Sequence, residues 1–316
     1  MKKKVLFIGC NFDQINYLEI FKKLNFLVIG TDIRESAPGK KYCDKFYNIS
    51  YYDYKKFYTI LKKERFSNKD IIFTAASHHA YETISKCYQK LGVNFPNPKK
   101  IDICLDKVKF YKFCKSKKVS VPRSKYVDFR SINKINLKKK KIYFLKSDYG
   151  KTPNYCFKIE NGKIPIIPKR DKFFRKYFIL QEEFKGTHYR INFVKDKIFT
   201  IFKPTENRNI FVKPSELKVK IYKKLSLINN ALGLNNLITK YDVIVNGNEY
   251  VILDIGLDTP LRLKHLLFSN KINFYDYYVK IYAKKNVLKF KKLLPIELNL
   301  KNFKKPKINK RFAIKI

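Results

Sequence analysis

The sequence predicts an α/β region followed by an α+β region, and three observations support this division. Strand-like apolar runs alternate with helical segments up to about residue 95, which is typical of a parallel sheet with crossover helices. The polar stretch "NFPNPKK" then interrupts the pattern with two prolines. Pairs of strands with polar turns follow, which indicates antiparallel sheets.

The first region has the pattern strand, helix, strand, a later strand and a further helix. The segments are "KVLFIG", "NYLEIFKKLNF", "LVIGTDI", "NKDIIFTAA" and "AYETISKCYQKLGV". Strands and helices of these lengths favour right-handed crossovers. Residues 1–96 are therefore predicted to form a Rossmann-like three-layer domain.

The second region begins near residue 97 with one helix, "DICLDKVKFYKFCKSKKVSVP", which is predicted to end before Pro122. Five strands are predicted next, in "KIYFLKSDYGKTPNYCFKI", "KYFILQEEFKG" and "RINFVKDKIFTIF". An amphipathic helix, "PSELKVKIYKKLSLINNALGL", is predicted to start at Ser215 and Glu216. The segment "ITKYDVIVNGNEYVILDIGL" is a predicted hairpin with an "NGN" turn, and a lysine-rich tail follows Leu294.

Composition limits the class of protein. The apolar residues, 45% of the chain, are enough for real cores, but no apolar run approaches the roughly 20 residues that a membrane-spanning helix needs. The short apolar run at the amino terminus leads straight into the first helix, so no signal peptide is predicted and a cytoplasmic location is expected. The six cysteines are dispersed, which indicates reduced packing thiols.

The formal net charge of +44 suggests an anionic partner, and nucleic-acid binding is one interpretation of it. Most of the excess is lysine, whereas arginine is the residue preferred for bidentate contacts to phosphates and base edges. A lysine-rich background composition is therefore a sufficient explanation, and nucleic-acid binding is kept as an alternative function.

The order of four segments resembles the ATP-grasp ligases. "LDKVKFYKFCKSKKVSVPRS" is similar to the segment that opens their nucleotide-binding half, "IYFLKSDYG" to their lysine strand and flexible loop, "ILQEEFKG" to their hinge, and "YDVIVNGNEYVILDIG" to their metal-binding hairpin. The resemblance implies a Rossmann-like pre-ATP-grasp domain over residues 1–96 and an ATP-grasp domain over 97–316. The latter comprises a lid lobe of about 122–182, a metal-binding lobe of about 183–300 and a basic tail.

The resemblance implies an ATP- and Mg²⁺-dependent ligase that joins a small-molecule carboxylate to an amine or a thiol through an acylphosphate. Two other interpretations stay open: an ATP-grasp protein that binds nucleotide without catalysis, and a basic nucleic-acid-binding protein. No membrane partner is expected. A homodimer is one of the oligomeric states that the sequence leaves open.

The family motifs assign nucleotide-binding and catalytic roles to residues of this chain. Lysines on separate elements suit a polyphosphate held between two lobes, and the alternative for each is a solvated surface charge. The nucleotide-binding candidates are Lys107, Lys146, Gly150, Gln181, Glu182, Glu183 and His188. Arg262 and Lys146 are the catalytic candidates.

The hairpin carries the candidate metal ligands. Asp242 and Asp254 are expected to face each other across the turn, and two close carboxylates repel unless a cation lies between them. Mg²⁺ bound to phosphate oxygens is such a cation. Asp258 is the third candidate ligand, because Gly256 occupies the position of the usual family asparagine. The alternative is that these aspartates are solvated charges at the ends of the hairpin.

Four residues of the first domain are candidates for contact with the carboxylate substrate. Ligands of open α/β sheets bind at the carboxyl ends of the strands. Gly9, Ser77, His78 and His79 follow the predicted strands at that edge. An ordinary turn and the start of a helix are the alternative for these residues.

Overall fold

A computed structural model of the chain describes the residue ranges 2–75, 77–147, 156–164, 177–194, 197–204, 208–212, 219–257, 264, 267–268, 271–283 and 297–299. These residues form three β-sheets with helices packed against them. No helix in these ranges combines the length and apolarity needed to cross a bilayer.

The amino-terminal sheet is parallel and has four strands in the order β3-β2-β1-β4. The strands are β1 Lys4–Ile8, β2 Leu27–Asp32, β3 Lys45–Asn48 and β4 Ile71–Thr74. The helices that follow strands are α1 Ile15–Lys23, α2 Tyr54–Lys63 and α3 Ala80–Lys90. The predicted α/β region is confirmed. The strand β3 and the helix α2 were not predicted, and β3 is a partly exposed edge strand.

Two helices stand where one was predicted after residue 97. They are α4 Pro98–Leu105 and α5 Lys107–Ser116. The single predicted helix is wrong because the extended backbone of Asp106 interrupts it. The Asp106 carboxylate accepts the backbone N–H groups of Val108 at 2.9 Å and Lys109 at 3.0 Å, which is the geometry of a helix N-cap.

The second sheet is antiparallel and has four strands in the order β5-β8-β6-β7. Its strands are β5 Ser124–Asp128, β6 Tyr143–Ser147, β7 Cys156–Ile159 and β8 Tyr177–Glu182. A small core that includes Leu145 and Leu180 lies on one side of it. Three of the five strands predicted for this part of the chain form this sheet.

The third sheet is antiparallel and has six strands in the order β13-β12-β9-β10-β11-β14. Its strands are β9 Thr187–Val194, β10 Lys197–Pro204, β11 Arg208–Val212, β12 Ile238–Asn246, β13 Glu249–Gly256 and β14 Glu297–Asn299. Two more helices are α6 Val219–Leu232 and α7 Phe274–Tyr282. The predicted hairpin is β12 and β13, whereas Ser215 and Glu216, the predicted start of α6, lie outside the described ranges.

Two large cores place the hairpin against the helices and the first sheet. One contains buried side chains of the first sheet, of α5 and of the hairpin, such as Leu6, Tyr111 and Ile255. The other lies against α1 and joins Phe73 to Tyr278 of α7. The predicted domain boundary at residues 96 and 97 falls between α3 and α4, and this division of the chain stays a prediction.

Glu64 follows α2 and fastens the edge strand β3 to it. Its carboxylate accepts hydrogen bonds from Lys45 Nζ at 2.6 Å and from Tyr47 Oη at 2.5 Å, and its side chain is 5% exposed. Burial opposes ionisation of this carboxyl, but the two donors from β3 outweigh burial and lower the pKa of Glu64 below its ordinary value.

Glu64→Gln is expected to lower the free energy of unfolding by about 1–3 kcal/mol at neutral pH, because charged hydrogen bonds are lost. A lowered folded-state pKa stabilises the fold above the unfolded value of about 4.3, and this contribution disappears as the pH falls through the folded pKa. Urea unfolding followed by circular dichroism should therefore show a smaller difference at about pH 3 than at about pH 7. The exposed Glu160→Gln is the control, and a difference for Glu64→Gln that does not change with pH would contradict the assignment.

Candidate functional site

A row of charged side chains crosses three adjacent strands of the six-stranded sheet. Arg190 on β9 lies opposite Asp242 on β12, and Asp242 lies opposite Asp254 on β13. Directly opposed residues share one face of a sheet, so the three side chains project from the same face. The sequence predicted that the two aspartates face each other, whereas it did not predict the place of Arg190.

Asp242 has a cationic partner within the protein. Its Oδ1 accepts from Arg190 Nε at 2.6 Å and its Oδ2 from Arg190 Nη2 at 2.8 Å, while His188 Nε2 lies 3.1 Å from Oδ1. The side chain of Asp242 is only 16% exposed. Burial alone would raise the pKa of Asp242, but the hydrogen bonds from His188 and Arg190 outweigh it and hold the pKa well below its usual range.

A β-bulge brings the two aspartates to the same face. Asp242 pairs with Asp254, but Val243 pairs with Ile252, so Leu253 is the extra residue on β13. A bulge leaves a backbone group outside the ladder, and the carbonyl of Leu253 accepts instead from Tyr111 Oη at 2.8 Å. Tyr111 lies on α5 and is 1% exposed, so this hydrogen bond ties the helix to the hairpin.

The amino-terminal end of α5 supplies a second cation. Asp106 caps the helix, which places Lys107 in the first turn. Lys107 Nζ lies 3.6 Å from Asp254 Oδ2, and the Lys107 side chain is 15% exposed. The row of charges therefore has a cation at each end, Arg190 beside Asp242 and Lys107 beside Asp254.

Lys146 reaches the same group of charges from the four-stranded sheet. It lies on β6, and its Nζ donates to Oε1 of the buried Gln181 on β8 at 3.0 Å. Burial lowers the pKa of Lys146 and outweighs Cys156 and the carboxylates of Asp254 and Asp242, which act in the opposite direction, while Lys107 lowers it further. The two antiparallel sheets and α5 thus bring together three cationic side chains and two carboxylates.

The three candidates around the hinge have different surroundings. Gln181 points toward Lys146, and its Oε1 lies 3.3 Å from Tyr111 Oη. Glu182 forms an ion pair with Lys141, and its backbone N–H donates to the carbonyl of Arg123 at 2.9 Å. The backbone N–H of Glu183 donates to the carbonyl of Ile142 at 2.9 Å. Gln181 is therefore the hinge candidate that contacts the group of charges, and the nucleotide-binding role of all three stays a prediction.

Gly186 shows why the chain between β8 and β9 needs a glycine. A Cβ atom at this position would lie 2.4 Å from the carbonyl oxygen of Val245 on β12, far inside contact distance. The chain can pass this close to β12 only without a side chain. The close approach sets the start of β9, and hence the positions of His188 and Arg190 two and four residues later.

The four substrate candidates lie at the carboxyl edge of the first sheet. Gly9 has φ 88°, and its N–H donates to the carbonyl of Thr31 at 2.8 Å. Ser77 Oγ accepts the backbone N–H of His79 at 3.2 Å, and His78 is buried beside it. The Gly9 contact extends the pairing of β1 with β2, and the Ser77 contact belongs to the approach to α3, so a substrate role for the four residues stays a prediction.

The remaining candidates, Gly150, Asp258 and Arg262, lie outside the described residues. Among the residues that are described, no three acidic, histidine or cysteine side chains gather as a metal site. Mg²⁺ commonly takes one or two protein carboxylates and completes its coordination with phosphate oxygens and water. The described donors fit such a site with Asp254 as the principal ligand, because the Arg190 fork and His188 already engage Asp242.

Two residues of the site, Arg190 and Tyr111, were not predicted from the sequence. Arg190 lies in "THYRINFV". His188 and Arg190 lie on one face of this strand, and Tyr189 and the buried Ile191 and Phe193 lie on the other. This period of two was the available signal that a strand presents a charged side chain to one face. Tyr111 had no such signal, because its partner, the bulged carbonyl of Leu253, is 142 residues away in the sequence.

Solved structures provide the comparison with known proteins. The chain is similar to N5-carboxyaminoimidazole ribonucleotide synthetase from Thermotoga maritima (18% identity, TM-score 0.68, 94% of this chain and 80% of that chain). It is also similar to L-amino acid ligase from Bacillus licheniformis (15% identity, TM-score 0.69, 93% and 79%). A third similar structure is D-alanine–D-alanine ligase from Bacillus anthracis (12% identity, TM-score 0.60, 90% and 97%).

No protein-family model matches the sequence, and no curated protein matches it at a significant level. The three solved structures are ATP-grasp ligases. At these identities the likeness is one of fold, and the chain has the ATP-grasp fold that its sequence motifs resemble.

Tyr111→Phe is expected to lower the free energy of unfolding by about 1–3 kcal/mol, because the carbonyl of Leu253 loses its donor in a buried setting. Urea unfolding of the variant and the wild type measures the change. Tyr126→Phe is the control, since Tyr126 is 43% exposed and water can replace its hydrogen bond. Equal stability of the Tyr111 variant and the wild type would show that the bulge does not need this donor.

Proposed function

We propose that the protein is an ATP- and Mg²⁺-dependent ligase that joins a small-molecule carboxylate to an amine or a thiol. The observation that carries the proposal is the gathering of Lys107, Lys146, Asp242 and Asp254 from a helix, a lid strand and a hairpin of an ATP-grasp fold. The names of the similar structures, two ligases and a synthetase, support the same class of reaction.

Lys146 and Lys107 are proposed to bind the phosphates of ATP. A partly buried ammonium group has lost hydration, so it gains more from an anionic ligand than a solvated lysine does. Lys146 approaches from the four-stranded sheet and Lys107 from α5, and charges on opposite sides of a polyphosphate can hold it in one orientation. Gln181 is proposed to orient Lys146, with which it forms a hydrogen bond.

Asp254 is proposed as the principal metal ligand, with Asp242 beside it. When bound, Mg²⁺ would act as a Lewis acid toward the transferred phosphoryl group. Asp258 is proposed to complete the protein ligands and Arg262 to stabilise charge on the phosphoryl group, as the family motif suggests. The residues proposed to surround the nucleotide also include Glu182, Glu183 and His188. Gly150 is proposed to lie in the loop over the phosphates.

The proposed reaction has two steps. An oxygen of the substrate carboxylate attacks the γ-phosphorus of ATP, the bond from this phosphorus to the β,γ-bridging oxygen breaks, and ADP leaves with that electron pair. The nitrogen of the amine, or the sulfur of the thiol, then attacks the carbonyl carbon of the acylphosphate. The carbon–oxygen bond to phosphate breaks, and the proton of the attacking group passes to solvent.

A second candidate function is nucleotide binding without catalysis. Two observations favour it: Asp242 is engaged by Arg190 and His188, and Gly256 supplies no side chain where the family motif has a ligand. A site with a single available carboxylate can still hold a metal–nucleotide complex through the phosphates. Release of ADP in the presence of a substrate separates the ligase from the binding protein.

Lys146→Gln is expected to weaken the binding of ADP with Mg²⁺ at least about tenfold, which corresponds to about 1.4 kcal/mol, because a desolvated cation beside the phosphates is lost. Isothermal titration calorimetry measures the affinity. Lys125→Gln is the matched control, since Lys125 is an exposed lysine of the same sheet. Equal affinity of the Lys146 variant and the wild type would refute the phosphate role.

Asp254→Asn is expected to abolish ATP turnover and to leave the fold intact, because its side chain keeps the same shape and loses the charge that holds the metal. The assay follows ADP release with ATP, Mg²⁺ and mixtures of carboxylates with amines or thiols. Circular dichroism and the unfolding midpoint serve as the control for the fold. Full turnover in this variant would rule out the metal role of Asp254.

A further inference from the structure

We propose that Arg190 is a positioning residue of the nucleotide site, and that it is the built-in cation that lets Asp242 face Asp254 before any metal binds. The inference rests on the proposed function and adds a division of labour between the two carboxylates. Asp242 is the partner of Arg190, and Asp254 is the carboxylate left for the metal.

The geometry of Arg190 is that of a fork. Nε and Nη2 donate to different oxygens of Asp242 at 2.6 and 2.8 Å, which fixes both the position and the rotation of the carboxylate. Arg190 itself is held on the central strand β9, which lies beside β12 over eight paired positions. A lysine could supply the charge at this position, but its single ammonium group cannot fix the plane of the carboxylate.

The order of charges gives Arg190 its importance. Asp242 and Asp254 are directly opposed across the bulged hairpin, and facing carboxylates repel each other. Arg190 neutralises Asp242 from one side, and Lys107 lies 3.6 Å from Asp254 on the other. The protein thus meets the electrostatic cost of the two carboxylates with its own side chains.

The fork also limits what Asp242 can bind. Oδ1 accepts from Arg190 and lies within hydrogen-bond distance of His188, and Oδ2 accepts from Arg190. A divalent ion at Asp242 would have to displace these donors or lie beside a guanidinium charge, and both are unfavourable. Asp254 is engaged less: its Oδ1 accepts the backbone N–H of Ile255 at 3.0 Å, and its Oδ2 lies 3.6 Å from Lys107 Nζ, beyond hydrogen-bond distance, so the metal would be held mainly by Asp254.

The test measures Mn²⁺ binding by the electron paramagnetic resonance signal of the free ion, with and without ADP. Arg190→Gln is expected to bind Mn²⁺ alone at least about tenfold more tightly than the wild type, because it releases the oxygens of Asp242 and removes a positive charge. Arg190→Lys should show a smaller gain. The double variant with Arg190→Gln and Asp242→Asn should lose the gain, because the gain requires the released carboxylate.

A purely structural role for Arg190 predicts a loss of stability with no gain in Mn²⁺ affinity, and an unchanged or weaker Mn²⁺ affinity in a folded Arg190→Gln protein would overturn the inference. If Arg190→Gln does not fold, Arg190→Lys and Asp242→Asn decide. With ADP present, Asp242→Asn should weaken Mn²⁺ binding far less than Asp254→Asn. Equal losses of Mn²⁺ affinity would show that Asp242 is a metal ligand and would contradict the proposal. Failure of the wild type to bind ADP with Mn²⁺ refutes the proposed function, which is a separate readout from binding of Mn²⁺ alone.

Discussion

The site depends on the order of four charged side chains, Arg190, Asp242, Asp254 and Lys107, along one line across the sheet and onto α5. Two carboxylates on facing strand positions destabilise a fold if both are ionised and neither has a partner. A cation at each end of the line removes this cost, and the low pKa of Asp242 reflects it. The site is therefore a set of paired charges, and a ligand enters an arrangement that is already neutralised on both sides.

Backbone irregularity gives this line its geometry. The extra residue on β13, Leu253, shifts the register so that Asp254 stands opposite Asp242, while the residues after the turn pair normally. The Tyr111 hydroxyl donates a hydrogen bond to the carbonyl that the bulge leaves outside the ladder, and it also lies near Gln181 of the four-stranded sheet. One buried side chain thus connects the helix that presents Lys107, the hairpin that presents the carboxylates and the strand beside Lys146.

Local pattern predicted much of this fold, because alternating apolar runs and the "NGN" turn act over a few residues. It predicted the hairpin, which follows from the turn, and it placed Asp242 and Asp254 on facing strands, whereas their direct opposition also requires the bulge at Leu253. It did not predict the break at Asp106, since the helical period continues across that residue and only its capping geometry divides the helix. Arg190 and Asp242 are 52 residues apart, so their pairing depends on strand order, which one sequence does not reveal.

Composition alone has a similar limit, because it does not distinguish a buried lysine from an exposed one. Lys146 and Lys158 lie on the paired strands β6 and β7, and their pKa values shift in opposite directions. Burial lowers the pKa of Lys146, whereas the exposed Lys158 has a raised pKa through its hydrogen bond with Glu160. A net charge of +44 treats the two alike and accounts only for general attraction of anions. Desolvation distinguishes them, and a lysine that the fold has partly removed from water, beside two fixed carboxylates, gains from a bound phosphate in a way that a surface lysine cannot.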